Sequence, residues 1–428
     1  MKNKGGNVSL IQRVSSLLIA LTIYLFLFDV ILLGSGAWSI NVTGISIRKV
    51  EYLTILLMVI CTINNIKGYI YFCCATTFCL IFGVVVPFLN DVKLEYAITE
   101  LLSFYGILLC PLIAQNRYIS VNWKKIRKFI LFICIISAFI HILIWLLGLM
   151  GSGYVDLIKQ LCIRVLTANN DDLIDNIIIA DTPDGLFRVL LPNSSLLIIG
   201  FYLSFQQYLN RKNYIHLLIV FVMLLALYTT WTRALYLSPI IIIGGVLFYK
   251  IFPFTLQLGK IGAYNLLSFI ILFFIVISTV LVQPTLLSLL GIASESSDGI
   301  RYTQVIWIFN TFMNSPVLGT GLGGSAEDVR SLIAPWTYEM SLLALIMKLG
   351  LVGVFLFISI SAIKIPEFLE GFFDGRRIPV KKVVWIYFSL SVLMMFSTNP
   401  FMLSFPGVTI TLFILCELNS FKIEKGNI

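Results

Sequence analysis

Long, mostly apolar runs separated by short polar stretches recur along the whole chain. They fall near residues 15–34, 50–66, 69–89, 97–114, 129–150, 189–208, 214–231, 233–249, 264–288, 337–363, 383–398 and 400–418. A helix rises about 1.5 Å per residue and the hydrocarbon core of a bilayer is about 30 Å thick, so about 20 such residues make one crossing. The pattern predicts an all-α integral membrane protein. It forms a single polytopic domain over residues 1–428, with about 12 (11–13) transmembrane helices and two larger extracytoplasmic loops, at 151–187 and 289–336.

Composition sharpens this reading. Of 428 residues, 59% are hydrophobic and 12% charged, against about 25% charged in a typical soluble domain. The first run follows Lys2, Lys4 and Arg13 and has no small-residue cleavage site, so it reads as a retained signal anchor. Cytoplasmic loops are enriched in Lys and Arg. With the amino terminus inside, 20 of the 30 Lys and Arg residues fall in inside segments, nine fall outside, and Lys348 falls within a run. Both termini are therefore predicted to be cytoplasmic, and the net charge of +9 reflects topology, not nucleic-acid binding.

The loop at 151–187 collects Asp156, Asp171, Asp172, Asp175, Asp181 and Asp184, and its length and polarity suit a lid or a substrate-facing surface. Seven of the eight cysteines sit in or beside apolar runs. Cys162 alone lies outside, without an external partner for a disulfide. His141 and His216 have no ligand partner at helical spacing, so the sequence offers no metal site, and each histidine reads as a helix-packing hydrogen bond.

Chemistry is expected where charge meets the outer boundary. Arg233, in Thr229-Thr230-Trp231-Thr232-Arg233-Ala234, stands where two runs meet with almost no loop. A membrane-level arginine is costly and usually pairs with an anion, although a snorkelling anchor is the plainer use. Arg188 opens the sixth run, and Pro192-Asn193-Ser194-Ser195 follows as a break that either lines a cavity or is a structural kink. Arg301 begins a stretch in which Val305, Ile308, Phe309 and Phe312 share one face, predicting an amphipathic helix at 301–313 on the outer membrane surface.

The glycines of Gly319-Thr320-Gly321-Leu322-Gly323-Gly324 have the spacing of a dinucleotide fingerprint but lack its strand-and-helix context. They read instead as a flexible turn allowing close backbone approach to a neighbour or ligand. Glu339, beside Tyr338 at the start of the tenth run, is an acid, a base, an arginine partner or a helix-start carboxylate.

In order and spacing these features resemble the bacterial O-antigen polymerase and ligase superfamily of polytopic membrane glycosyltransferases. The resemblance rests on Arg188 with Pro192-Asn193, on Thr232-Arg233-Ala234, and on Arg301 with its helix. It continues through Ser315-Pro316-Val317-Leu318-Gly319-Thr320-Gly321 to Glu339 followed by Gly350-Leu351-Val352-Gly353. Motif by motif it covers roughly residues 185–355, and elsewhere only the number of runs. Ligase-like members carry a histidine eleven residues before the glycine that stands here as Gly350. That position here is Glu339, which points to a polymerase.

The resemblance implies a GT-C-like membrane glycosyltransferase architecture in the bacterial cytoplasmic (inner) membrane, with its active site facing the periplasm or exterior. It implies a substrate of oligosaccharide repeats on undecaprenyl diphosphate and a chain-length regulator protein as a candidate partner, while the absence of a compact external acidic cluster with ligand spacing argues for no metal and no cofactor. Arg188, Arg233 and Arg301 would bind the diphosphate, since guanidinium forks match phosphate oxygens. Arg233, Arg301 and Glu339 would be the catalytic set, with Asn193, Ser194 and Tyr338 as candidate cavity-lining residues. The alternatives are a ligase that transfers finished glycan to another acceptor, and a lipid-linked oligosaccharide flippase, which should show pseudo-symmetric halves.

Overall fold

A computed structural model describes residues 10–33, 39–40, 45–63, 65–150, 156–162, 178–181, 187–251, 295–329, 334–369, 378–400 and 402–426. Its helices are α1 Leu10–Phe28, α2 Ile47–Thr62, α3 Ile66–Leu80, α4 Leu94–Ala114, α5 Arg117–Leu149 and α6 Leu197–Arg211. They continue with α7 Tyr214–Thr229, α8 Arg233–Ile251, α9 Glu295–Asn314, α10 Ser341–Leu369, α11 Val380–Thr398 and α12 Phe405–Gly426. π-helical turns extend α1 through Asp29–Leu33 and α3 through Ile81–Val85 to a last turn at Val86–Leu89. Among the described residues the sheet is limited to two antiparallel ribbons, β1 Ser39–Ile40 with β2 Ile45–Ser46, and β3 Ile178–Asp181 with β4 Phe187–Leu190.

Among the described residues six helices are long and apolar enough to cross a membrane: Ile66–Leu89, α4, α5, α8, α10 and α11. Helix α7 and the segment Ile19–Leu32 are apolar but shorter. Phe221, Ile240, Leu143 and Phe355 are each more than half exposed, so the outer surface of the bundle is itself apolar, as a surface that meets lipid must be. The chain is an all-α membrane protein. The ninth apolar run, 264–288, and most of the 151–187 loop, with Asp171, Asp172, Asp175 and Asp184, lie outside the described residues.

Helices α3, α5 and α7 start where asparagine side chains replace missing backbone partners. Asn65 accepts the Gly68 N–H, Asn116 those of Tyr118 and Ile119, and Asn213 that of Ile215. Helix α6 is the centre of the bundle: Leu197, Ile198, Ile199, Phe201, Tyr202 and Leu203 are at most 1% exposed. A helix that is apolar on every face must be surrounded, and α5, α7, α8 and α11 pack against it.

The sixth run, expected as helix from 189, instead opens as strand β4, turns at Pro192-Asn193 and takes one 3₁₀ turn at Ser194–Leu196 before α6 begins. Proline has no N–H and its ring disfavours helix in the residue before it, which ends regular structure here. Helix α9 begins at Glu295, earlier than the expected 301. Ile308 packs with Tyr338, Ala344 and Met347, whereas Phe309 is exposed. Part of its apolar face is thus turned toward protein.

The glycine-rich segment makes the close backbone approach to a neighbour expected of it, and hydrogen bonds hold it there. Gly350 interrupts α10 with φ +61 and ψ −177, and the stretch from Pro316 to Gly323 fills the break. The Thr320 and Gly321 N–H groups donate to the carbonyls of Met347 and Lys348 at 3.2 and 2.9 Å. On the other side of the break, the Leu351 and Val352 N–H groups donate to Pro316 and Val317 at 2.9 and 3.0 Å. Leu322 N–H reaches the carbonyl of Phe82, in the π-turn after α3, at 2.8 Å. Irregular backbone packed among helices needs protein groups to complete its hydrogen bonds.

Candidate active site

Arg188 lies on β4, paired with Ala180. Its Nε donates to the Thr230 carbonyl at 3.0 Å and an Nη donates to Thr232 Oγ1 at 3.3 Å. The guanidinium therefore caps the carboxyl end of α7, where the helix dipole is negative. Burial lowers the Arg188 pKa from its ordinary value, and the Glu339 carboxylate acts in the opposite direction. Arg188 thus joins strand β4 to the turn between α7 and α8, with the charge of Glu339 near enough to act on it.

The turn itself is tight. Trp231 has φ +47, a conformation costly for a bulky residue, and Thr230 Oγ1 and Thr232 Oγ1 donate to the carbonyls of Leu227 and Thr230. The half-buried Arg233 opens α8 directly after it.

On the facing side, Arg301 Nε donates to Glu339 Oε2 at 2.6 Å, with both side chains about four-fifths buried. The Glu339 N–H donates to Gln304 Oε1 at 3.0 Å. Gln304 was not singled out from the sequence; its signal is a place one turn after Arg301 on the same helix face. Tyr338 is buried. Its hydroxyl donates to the Asp328 carbonyl at 3.2 Å and accepts from the Ala326 N–H at 2.7 Å, so it braces the segment that carries Glu339.

Asn193 and Ser194 are buried in bonds of their own. Asn193 Nδ2 donates to the Ile31 carbonyl at 2.5 Å and to Ser137 Oγ at 3.1 Å. Ser194 Oγ accepts from the Leu191 N–H and lies 2.8 Å from His141 Nε2, so His141 joins α5 to the start of α6.

Next to the site is a buried ion pair, of which only Lys348 stood out in the sequence, as a charge within an apolar run. Lys348 Nζ is 2.5 Å from Glu100 Oε1, with side chains 1% and 3% exposed. Lys348 also donates to the Trp336 carbonyl at 2.7 Å, and Glu100 Oε2 accepts the Gly323 N–H at 2.6 Å. Tyr96 packs on Trp336, ring centroids 4.6 Å apart. The pair thus ties α4, α10, the glycine segment and the stretch leading to Glu339 into one block.

A separate cavity of about 560 Å³ lies between α1, α2, α4, α5 and α12, lined by Phe26, Leu56, Leu102, Leu109 and Phe413 among others. Among the described residues no charged side chain borders it. It offers room for an apolar chain but nothing that would hold an anion, so the arginine cluster is the stronger candidate for chemistry. Among the described residues no three His, Cys, Asp or Glu side chains gather as metal ligands. No protein-family model and no curated protein matches the chain.

Proposed function

We propose that the chain is a membrane glycosyltransferase that polymerises oligosaccharide repeats carried on undecaprenyl diphosphate, building an O-antigen or capsular-type polysaccharide for the cell envelope. The reading includes about twelve membrane spans in a bacterial inner membrane, both termini cytoplasmic, and a site on the outer face that needs no cofactor or metal. One observation carries it: Arg301 donates to Glu339, and Arg188, 113 positions away in the sequence, feels the same carboxylate while it bonds the turn that leads into Arg233. Two cations set against one carboxylate leave a net positive site, which suits a diphosphate, and Arg233 opens the helix after the turn that Arg188 holds.

In the reaction, a sugar hydroxyl of an incoming lipid-linked repeat attacks the anomeric carbon of the growing chain. The new glycosidic C–O bond forms as the bond from that carbon to the diphosphate oxygen breaks. Undecaprenyl diphosphate leaves with the electron pair, and the hydroxyl proton passes to a base. The arginines stabilise the charge that develops on the leaving diphosphate. Glu339 already accepts a hydrogen bond from Arg301, which favours a role in orienting that guanidinium.

The test is reconstitution of the purified protein in liposomes with a synthetic undecaprenyl diphosphate repeat, the products being separated on a gel. A ladder of lengthening chains that disappears in Arg301→Ala is expected. Transfer of finished glycan to a different acceptor would instead make the chain a ligase. Movement of the lipid across the bilayer without lengthening would make it a flippase.

A further inference from the structure

Gln304 carries a polar group that the fold leaves unexplained. The residue is completely buried on α9, one turn beyond Arg301, and both side chains face Glu339. The Glu339 N–H can only donate, so the Gln304 side-chain oxygen must face it and the amide nitrogen must point away. That nitrogen, Nε2, is buried without a hydrogen-bond partner. Folded proteins pair nearly all buried donors because an unmet one is costly, and the exceptions gather where function demands them. Arg301 lies one turn before Gln304 on the same helix face, and Glu339, which both residues bond, is already paired with Arg301.

Resting on the reading above, we propose that Gln304 is a further substrate contact, its side-chain amide donating to a non-bridging oxygen of the lipid-linked diphosphate. Glu339 then organises two donors at once. Its carboxylate aims Arg301, and its backbone N–H fixes the Gln304 amide so that the nitrogen faces the same anion. A diphosphate offers acceptor oxygens only, which matches a site whose unmet group is a donor.

The test uses the full chain in nanodiscs with farnesyl diphosphate as probe, comparing wild type, Gln304→Met and Gln304→Glu. Methionine is neutral and of similar size but cannot donate. Glutamate keeps an acceptor for the Glu339 N–H but presents an oxygen, not an N–H, to the ligand. A hydrogen bond to a charged oxygen is worth about tenfold in affinity or more. Gln304→Met should therefore weaken binding by at least about that factor, and lower the melting temperature of the unliganded protein because it also strands the Glu339 N–H, whereas Gln304→Glu keeps an acceptor there and should weaken binding further.

If wild type binds the probe and Gln304→Met binds it equally well, the contact is refuted while the polymerase reading stands. Should the methionine variant fail to fold, Gln304→Glu decides alone, and unchanged affinity in it refutes the contact. If wild type binds neither farnesyl nor undecaprenyl diphosphate, both the contact and the diphosphate reading fall.

Discussion

At the scale of single residues the proposed polymerase site joins Arg301 to the Glu339 carboxylate and Gln304 to the Glu339 N–H, and the consequences of altering each differ. Removing a preorganised donor that stabilises developing charge costs about 10²–10³ in rate, so Arg301→Ala should lower the polymerisation rate by about that factor. Arg301→Lys should rescue little, because an ammonium cannot keep the fork geometry with both Glu339 and a phosphate. For Glu339 the two candidate roles separate cleanly. Glu339→Gln keeps an oxygen for Arg301 and the backbone N–H for Gln304; if the residue orients, initial rates should fall only about tenfold, whereas a general base contributes about 10²–10⁴. A loss at the upper end of that range in Glu339→Gln, equal to that in Glu339→Ala, would identify the carboxylate as the base. The arginines and Glu339 were legible in the sequence because a charge beside an apolar run stands out. Gln304 was not, because an uncharged amide in an amphipathic helix looks like surface until its partner, 35 positions away, is known.

At the scale of elements, the break in α10 and the segment that fills it form one construction. A Cβ on Gly319 would lie 2.4 Å from the Lys348 carbonyl oxygen, and one on Gly350 would lie 2.5 Å from the Gly319 nitrogen. Both contacts are with backbone, which cannot swing aside as a side chain can. Gly319 has φ +70, and the Gly350 backbone lies in a region that is essentially glycine-only, costing other residues about 1–3 kcal/mol. Overpacking adds a similar amount. Gly350→Ala and Gly319→Ala should each lower the melting temperature in detergent markedly, while Gly244→Ala, where a Cβ meets nothing within 4 Å, should leave it unchanged or raise it. Equal melting of all three would mean that the segment does not fill the break. The sequence made the glycines visible and their need for close approach predictable. Nothing in it signalled that the neighbour would be a broken helix, since the hydrogen bonds that decide this join Pro316–Leu322 to residues near 82 and 350. Strand β4 was hidden for a related reason: apolar Phe187–Leu190 reads as the start of a span, and only Pro192 marks the change.

At the scale of the whole molecule, charges inside the bundle tie distant helices together. Glu417, on α12 and completely buried, accepts from Trp123 Nε1 at 2.8 Å and Tyr202 hydroxyl at 3.0 Å, and pairs with Arg127 Nε at 2.9 Å. Lys364 bonds to Gln115 at 3.1 Å and Glu367 at 3.0 Å. Run lengths made the helical architecture readable without these networks, because apolar length alone specifies a crossing. Their partners, 248 positions apart for Lys348 and Glu100, could not be matched from sequence. The Lys348–Glu100 pair offers the sharpest test of the assembly. Removing one partner strands a buried charge at a cost of about 3–5 kcal/mol, whereas removing both charges together can be neutral. Lys348→Met should therefore melt well below wild type. The double variant Lys348→Met with Glu100→Gln should recover much of the loss, because the new amide carries no charge yet its oxygen can still accept the Gly323 N–H. The recovered protein should nevertheless polymerise more slowly than wild type, since Lys348 also holds the Trp336 carbonyl three residues before Glu339. Restored stability with reduced rate would separate the pair's part in folding from its part in aiming Glu339. Full recovery of both would confine the pair to folding, and no recovery of stability would mean that the two charges do not compensate each other.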